Sequence, residues 1–185
     1  VKFKDAKYVG DPINAVKIFN EKRVDELMLL DIDATKEGRE PDLQMIENVA
    51  AECRMPLCYG GGIRSAKQAS RIFALGVEKI AVSSAAIERP ALLKEIADVV
   101  GRQSVVAVLD IKKKRLFGGY ELWTQNGTNN MKQDPATMIE LFQQNGAGEI
   151  VINSIDRDGT MTGYDLELVS SLYKYFSVPF TILGG

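Results

Sequence analysis

Residues 26–62 read ELMLLDIDATKEGREPDLQMIENVAAECRMPLCYGGG, and residues 149–185 read EIVINSIDRDGTMTGYDLELVSSLYKYFSVPFTILGG. Superposed without a gap at an offset of 123, they agree at eight of 37 positions: Glu26/Glu149, Ile32/Ile155, Asp33/Asp156, Asp42/Asp165, Leu43/Leu166, Pro56/Pro179, Gly61/Gly184 and Gly62/Gly185. Leu27/Ile150, Met45/Leu168 and Ile46/Val169 are conservative. A period of that length holds about four strand–helix units, so the repeat is a (βα)4 half, and two halves close an eight-stranded barrel of roughly 250 residues. The expected architecture is α/β: a (β/α)8, or TIM, barrel with half-barrel pseudo-symmetry. The sequence should cover about strands two to seven, as one partial barrel domain over residues 1–185. A doubly wound open sheet is the competing reading, and it leaves the gapless repeat unexplained.

Working outward, strand-length apolar runs fall at 26–31, 56–59, 79–83, 105–110, 149–153 and 179–183. They are rich in Val, Ile and Leu with little polar alternation, the mark of parallel strands covered on both faces. Helix-period segments lie between them at 13–21, 42–52, 66–75, 90–99, 135–144 and 165–175, and Pro12, Pro90 and Pro135 sit where helices start. The segment 115–124 breaks the rhythm and reads as a hairpin around Gly118-Gly119.

Composition narrows the chemistry. The chain has 185 residues, 45% hydrophobic, with 23 basic and 25 acidic side chains, a net charge of −2 and no histidine. Histidine-based triads and histidine-liganded metals are thereby excluded, leaving carboxylates, Lys, Tyr or Cys for acid–base work. No metal site and no cofactor is expected. The one basic run, Lys112 to Arg115, reads as a solvated edge rather than a nucleic-acid surface. No apolar run approaches the ~20 residues of a membrane helix, and the opening Val1-Lys2-Phe3-Lys4-Asp5 is not a signal peptide. Cys53 and Cys58 fit reduced, buried thiols in a cytoplasmic protein.

Glycines after a strand let backbone N–H groups approach a phosphate. Gly60-Gly61-Gly62 has that placement, Ser83 and Ser84 end the next strand, and the repeat sets Gly184 and Gly185 at the matching place across the barrel. Two such sites predict a long substrate with a phosphate at each end. Asp31, Asp110, Asp156 and Asp158 fall at or just past strand ends, where barrel catalysts sit; Asp156, Asp158 and Gly159 also suit a turn. Glu26, Lys79 and Glu149 start the second, fourth and sixth strands and should form a charged ring at the barrel bottom, as either a stability or a functional feature.

The stretches GDPINAVKIFNEKRVDELMLLDI, YGGGIRS, VEKIAVSSAAI, VVAVLDIKK and GAGEIVINSIDRDGTMTGYDLELV together resemble the cyclase subunit of imidazole glycerol phosphate synthase, over essentially the whole chain. The resemblance implies a half-symmetric barrel with a glutaminase subunit docked at its bottom. That subunit delivers ammonia for cleaving and cyclising a doubly phosphorylated ribulosyl-formimino nucleotide. It implies that Asp110 is the strand-five acid–base residue, with a strand-one aspartate lying before Val1. It also implies that Gly62, Ser83 and Ser84 match one phosphate site and Gly159 and Gly185 part of the other. Asp31, Asn153 and Asp158 fall in the substrate mouth, and Glu26, Lys79 and Glu149 match the ammonia gate. Asp33, Cys58, Ser83, Asn153, the stretch Asn130-Met131-Lys132 and the hairpin at 116–123 depart from the family pattern. They look like a paralogous branch that supplies ammonia for sugar amidation in surface-polysaccharide synthesis; a non-catalytic ammonia conduit is the further alternative.

Overall fold

A computed structural model describes residues 2, 3, 8, 10–114 and 118–185. Its strands are β1 (Leu27–Leu30), β2 (Leu57–Gly60), β3 (Lys79–Val82), β4 (Val105–Lys113), β5 (Tyr120–Thr124), β6 (Asn129–Asn130), β7 (Glu149–Ser154) and β8 (Phe180–Leu183). Six of them form one parallel array in the order β1-β2-β3-β4-β7-β8. The short β5 and β6 branch from β4 as antiparallel partners. Among the described residues no hydrogen-bonded pair joins β1 to β8. The helices are α1 (Pro12–Lys22), α2 (Ala34–Glu37), α3 (Leu43–Glu52), α4 (Ala66–Phe73), α5 (Ser84–Glu88), α6 (Ala91–Val100), α7 (Pro135–Gln144) and α8 (Leu166–Leu172).

The expected elements are present, with differences that have local causes. The strand read over 105–110 continues to Lys113, because Lys112 and Lys113 pair with Glu121 and Tyr120. The hairpin thus follows the reading of 115–124, although residues 115–117 lie outside the described part. The helix read over 165–175 ends at Leu172 and tightens into a 3-10 turn, Tyr173–Tyr175.

The two sheet faces pack differently. One carries Ile80, Leu109, Ile150 and Ile152 against helix residues Ile46, Ile72, Leu93, Ile96 and Phe142, all buried. Full burial of each such side chain contributes about 1.5–3 kcal/mol. The other face carries the small set Cys58, Ala81, Val106, Val108 and Val151, with Met28, Leu30 and Leu183 at its margin.

That second face is concave, and one ion cluster requires it. Lys79 Nζ lies 2.7 Å from Glu26 Oε2 and 2.8 Å from Glu149 Oε2. Glu26 precedes β1 and Glu149 opens β7, four strand positions away. In a flat sheet those positions lie about 19 Å apart. Two glutamates sharing one ammonium span at most about 15 Å between their Cα atoms. The sheet must curl about Lys79.

The half-repeat survives in atomic contacts. Asp42 Oδ1 accepts from Met45 N at 3.0 Å to cap α3, and Asp165 Oδ1 accepts from Leu168 N at 3.0 Å to cap α8. Gly61 (φ +124°) packs on the Asp31 carbonyl, and Gly184 (φ +92°) on the Ser154 carbonyl; Asp31 and Ser154 are themselves 123 residues apart. A Cβ at either glycine would collide with backbone oxygen. Gly61→Ala should therefore cost about 2–4 kcal/mol in urea unfolding. Gly38→Ala, at φ +70° with nothing within 4 Å of its Cβ position, should cost only about 1 kcal/mol. Equal losses would refute the packing argument.

Candidate active site

Curling gathers the carboxyl ends of the parallel strands around a cavity of about 430 Å³. Gly61 and Gly184, from opposite halves of the repeat, line the same cavity.

On the β1–β2 side stand Asp31, Gly61 and Gly62. Asp31 Oδ1 accepts from Asp33 N (3.2 Å) and Ala34 N (3.0 Å), and Oδ2 pairs with Arg39 Nη1 at 3.3 Å. Its carboxylate is already engaged, so it shapes this wall and has little capacity left for a ligand. Gly62 N donates to Thr35 Oγ1 at 3.4 Å.

Ser83 and Ser84 form the next wall. Ser83 Oγ is buried without a hydrogen-bond partner. Ser84 Oγ accepts from Gln125 N at 3.3 Å, tying this wall to the hairpin. At the start of α5, Ala86 N and Ile87 N donate to Ser83 O at 2.9 and 3.1 Å, so only the Ser84 and Ala85 N–H groups lack an acceptor within the helix.

Asp110 and Asn153, in register on β4 and β7, form the third wall. Asn153 Nδ2 donates to Asp110 Oδ1 at 3.1 Å, while Asn153 Oδ1 is buried and unpartnered. Withdrawal from water pushes the Asp110 carboxyl up to about 6; the Asn153 hydrogen bond pulls it down, and the charge of Asp158 pushes it further up. A carboxyl poised there exchanges its proton near neutral pH in either direction.

Asp158 and Gly184 complete the ring. Asp158 Oδ2 accepts weakly from Phe3 N at 3.5 Å. Of the remaining expected residues, Gly159 (φ +65°) and Gly185 (φ +152°) stand beside the cavity without lining it. Gly185 packs on the Gly163–Tyr164 backbone. Asp156, the mouth acid also read as a turn former, accepts from Lys113 N at 2.9 Å and so braces the end of β4.

At the other end of the same strands lies the Glu26–Lys79–Glu149 cluster. Burial works against the Lys79 charge, but the hydrogen bonds that Lys79 donates to Glu149 and Glu26 outweigh it and hold the ammonium protonated. Thr181 adds a fourth member, its Oγ1 donating to Glu149 Oε1 at 2.8 Å. The sequence alone does not point to Thr181, because its repeat mate is Cys58 and neither stands in a polar run. Nor does it point to Thr35, Phe3 and Asn126 as cavity residues; only the Asn126-Gly127 turn pair hints at the last. Among the described residues no group of three or more His, Cys, Asp or Glu could hold a metal ion. No described helix is long and apolar enough to cross a membrane.

The raised Asp110 pKa fixes the sign of a stability effect. Between about pH 4 and 6 the unfolded chain ionises this group while the folded protein keeps it neutral, so a penalty on folding builds up and then stays constant. Asp110→Asn should accordingly stabilise the fold by about 1–3 kcal/mol at pH 8 and leave it unchanged below pH 4. Urea unfolding at the two pH values checks this, and destabilisation at pH 8 would contradict it.

The whole chain, residues 1–185, matches the family model described as "Histidine biosynthesis protein". A Vibrio vulnificus protein provisionally named imidazole glycerol phosphate synthase subunit hisF3 is 56% identical over 186 residues, covering all of this chain and 71% of that protein. A Pseudomonas aeruginosa protein, provisionally named as subunit hisF2, is 49% identical, covering all of this chain and 73% of that one. The Pyrococcus furiosus protein named imidazole glycerol phosphate synthase subunit HisF is 36% identical over the same span of this chain and 73% of its own. A cavity ringed by strand-end acids and glycine turns above a charged bottom cluster agrees with that match: the chain belongs to the histidine biosynthesis protein family of (β/α)8-barrel enzymes, which includes the cyclase subunits of imidazole glycerol phosphate synthase.

Proposed function

We propose that residues 1–185 form one partial barrel domain of an ammonia-using cyclase. It would receive ammonia from a glutaminase subunit docked at the Lys79 end and act on a phosphorylated substrate in the cavity. The observation that carries this reading is the alignment of the two ends. Glu149 of the bottom cluster and Asn153, the partner of Asp110, are four residues apart on β7, about 13 Å along the strand. Between them lies the apolar lining of Cys58, Ala81, Val106, Val108 and Val151. A small neutral molecule admitted beside Lys79 would meet no charged side chain of that lining before Asp110.

In this reading Asp110 gives and takes the proton, and Asn153 orients it. Ser83, Ser84 and the Gly61–Gly62 turn hold one phosphate. The Gly184 turn, with neighbouring Gly159 and Gly185, faces the other, and Asp158 stands in the mouth. Asp31 anchors the mouth. The substrate is the doubly phosphorylated ribulosyl-formimino nucleotide of histidine biosynthesis, and the setting is the cytoplasm.

A second reading has specific support. Identity is 49–56% to the provisionally named relatives and 36–39% to those named without that reserve. Asp33, Cys58, Ser83 and Asn153 also depart from the family pattern. Both favour a paralogue whose ammonia serves another acceptor, such as a sugar amidated for a surface polysaccharide.

The tests separate these. Given ammonium salt, the protein should turn over the ribulosyl-formimino nucleotide with a limb of the pH profile near 6, and Asp110→Asn should lower the rate about 10²–10⁴-fold. Absence of turnover in the unaltered protein removes the histidine-pathway reading, and turnover indifferent to Asp110→Asn removes Asp110 from the mechanism. With the glutaminase subunit present, Lys79→Ala should depress glutamine-dependent turnover more than ammonium-dependent turnover; equal effects would remove the gate.

A further inference from the structure

The tip of the hairpin between β5 and β6 is held in a conformation that side chains other than glycine seldom adopt. Gln125, Asn126 and Gly127 are consecutive left-handed residues, at φ +51°, +57° and +71°. Such residues raise the local energy and persist where surrounding contacts over-determine them, commonly at functional sites.

Here those contacts are evident. Thr128 N donates to Thr124 O at 3.2 Å and Thr128 Oγ1 to Gln125 O at 2.7 Å. Gln125 N donates to Ser84 Oγ at 3.3 Å, and Gly127 packs close under Phe3. The result carries half-buried Asn126 into the wall of the cavity, next to Ser84. Ser84 Oγ receives the Gln125 N–H, so its own hydrogen remains to be donated. Ser83 Oγ, in the same wall, is buried with no partner. Ser83, Ser84 and Asn126 thus line one cavity, and a buried polar atom left unpaired is costly unless a ligand satisfies it.

We infer that Asn126 is a third side-chain ligand, beside Ser83 and Ser84, for a phosphoryl group of the substrate, and that the strained hairpin tip exists to present its carboxamide N–H. This rests on the phosphate corner proposed above and adds an element to it that comes from a different part of the chain. The hairpin, tied to Ser84 through Gln125 N, thereby acquires a role in binding.

The test uses inorganic phosphate as the probe, with affinity read by ³¹P NMR titration of the protein and folding followed by urea unfolding. Asn126→Gly relieves the backbone while removing the carboxamide. Its dissociation constant should rise about tenfold, the loss of one hydrogen bond to a charged group, while its unfolding midpoint stays the same or rises. Asn126→Asp keeps the shape and the turn preference but sets a carboxylate against the anion, so its affinity should fall further. If both variants bind phosphate as the unaltered protein does, Asn126 is only a turn residue and the inference falls. Ser83→Ala tests the corner independently, since Ser83 holds no part of the hairpin. Weaker binding in Ser83→Ala with unchanged binding in the Asn126 variants removes Asn126 alone. Unchanged binding in all three removes the corner with it.

Discussion

One ammonium between two carboxylates governs the shape of this molecule. Lys79 contacts Glu26 and Glu149 from strands that a flat sheet would hold too far apart to share it. Curvature and ion cluster are therefore the same fact seen at two scales. The cluster is partly buried, and a cation moved out of water is a stabilising element only when its partners are well placed. Two carboxylates against one ammonium leave a local excess of negative charge. The Thr181 hydroxyl relieves it on the Glu149 side by donating to the oxygen that Lys79 does not use. Removing the lysine would leave two like charges facing each other on the concave face.

Curvature in a parallel sheet has a directional consequence. All carboxyl ends lie on one side, so bending brings the loops after β1, β2, β3, β4, β7 and β8 to a shared rim while the charged cluster stays at the opposite end. The half-repeat then sets like against like: the Gly61 turn packed on Asp31 is echoed by the Gly184 turn packed on Ser154. The echo is structural rather than chemical. Asp31 is engaged by two backbone N–H groups and Arg39, whereas its mate Ser154 is buried and donates to Asp165. Cys58 and Thr181, also mates, have diverged into a buried thiol and a member of the ion cluster. The duplicated backbone supplies two matching glycine turns, and side-chain divergence gives the two halves different contacts.

What can be read from the sequence follows from the range of the interactions involved. The six parallel strands declare themselves because cover on both faces favours short, near-continuous apolar runs rather than polar alternation. The starts of α1, α3, α7 and α8 declare themselves because proline at the first position or an aspartate cap acts within one turn. The Glu26–Lys79–Glu149 cluster is legible because the layer rule for barrels converts alternate strand starts into neighbours. By contrast, the extension of β4 to Lys113 depends on cross-strand pairing with a segment that is itself mostly polar, so no local pattern marks it. Thr35 and Thr181 become site residues only through contacts made across 27 or more positions in the chain, and Asn126 through the bond that its neighbour Gln125 makes to Ser84; one sequence without that geometry does not place them. The short helices α2 and α5 escape for a related reason: at four and five residues they have no helical period to detect.

The position of Asp110 shows how opposed influences set a functional group. Burial at the end of a wholly apolar strand disfavours its charge, and Asp158 across the cavity adds to that; the Asn153 amide opposes both. Were burial unopposed, the acid would hold its proton too firmly to release it near neutrality. A fully solvated carboxyl would release it too readily to serve as a donor. Asn153 spends an N–H on Asp110 while its own Oδ1 is buried and unpaired, so the amide that opposes burial carries an unmet acceptor, a cost the fold sustains where the acid sits.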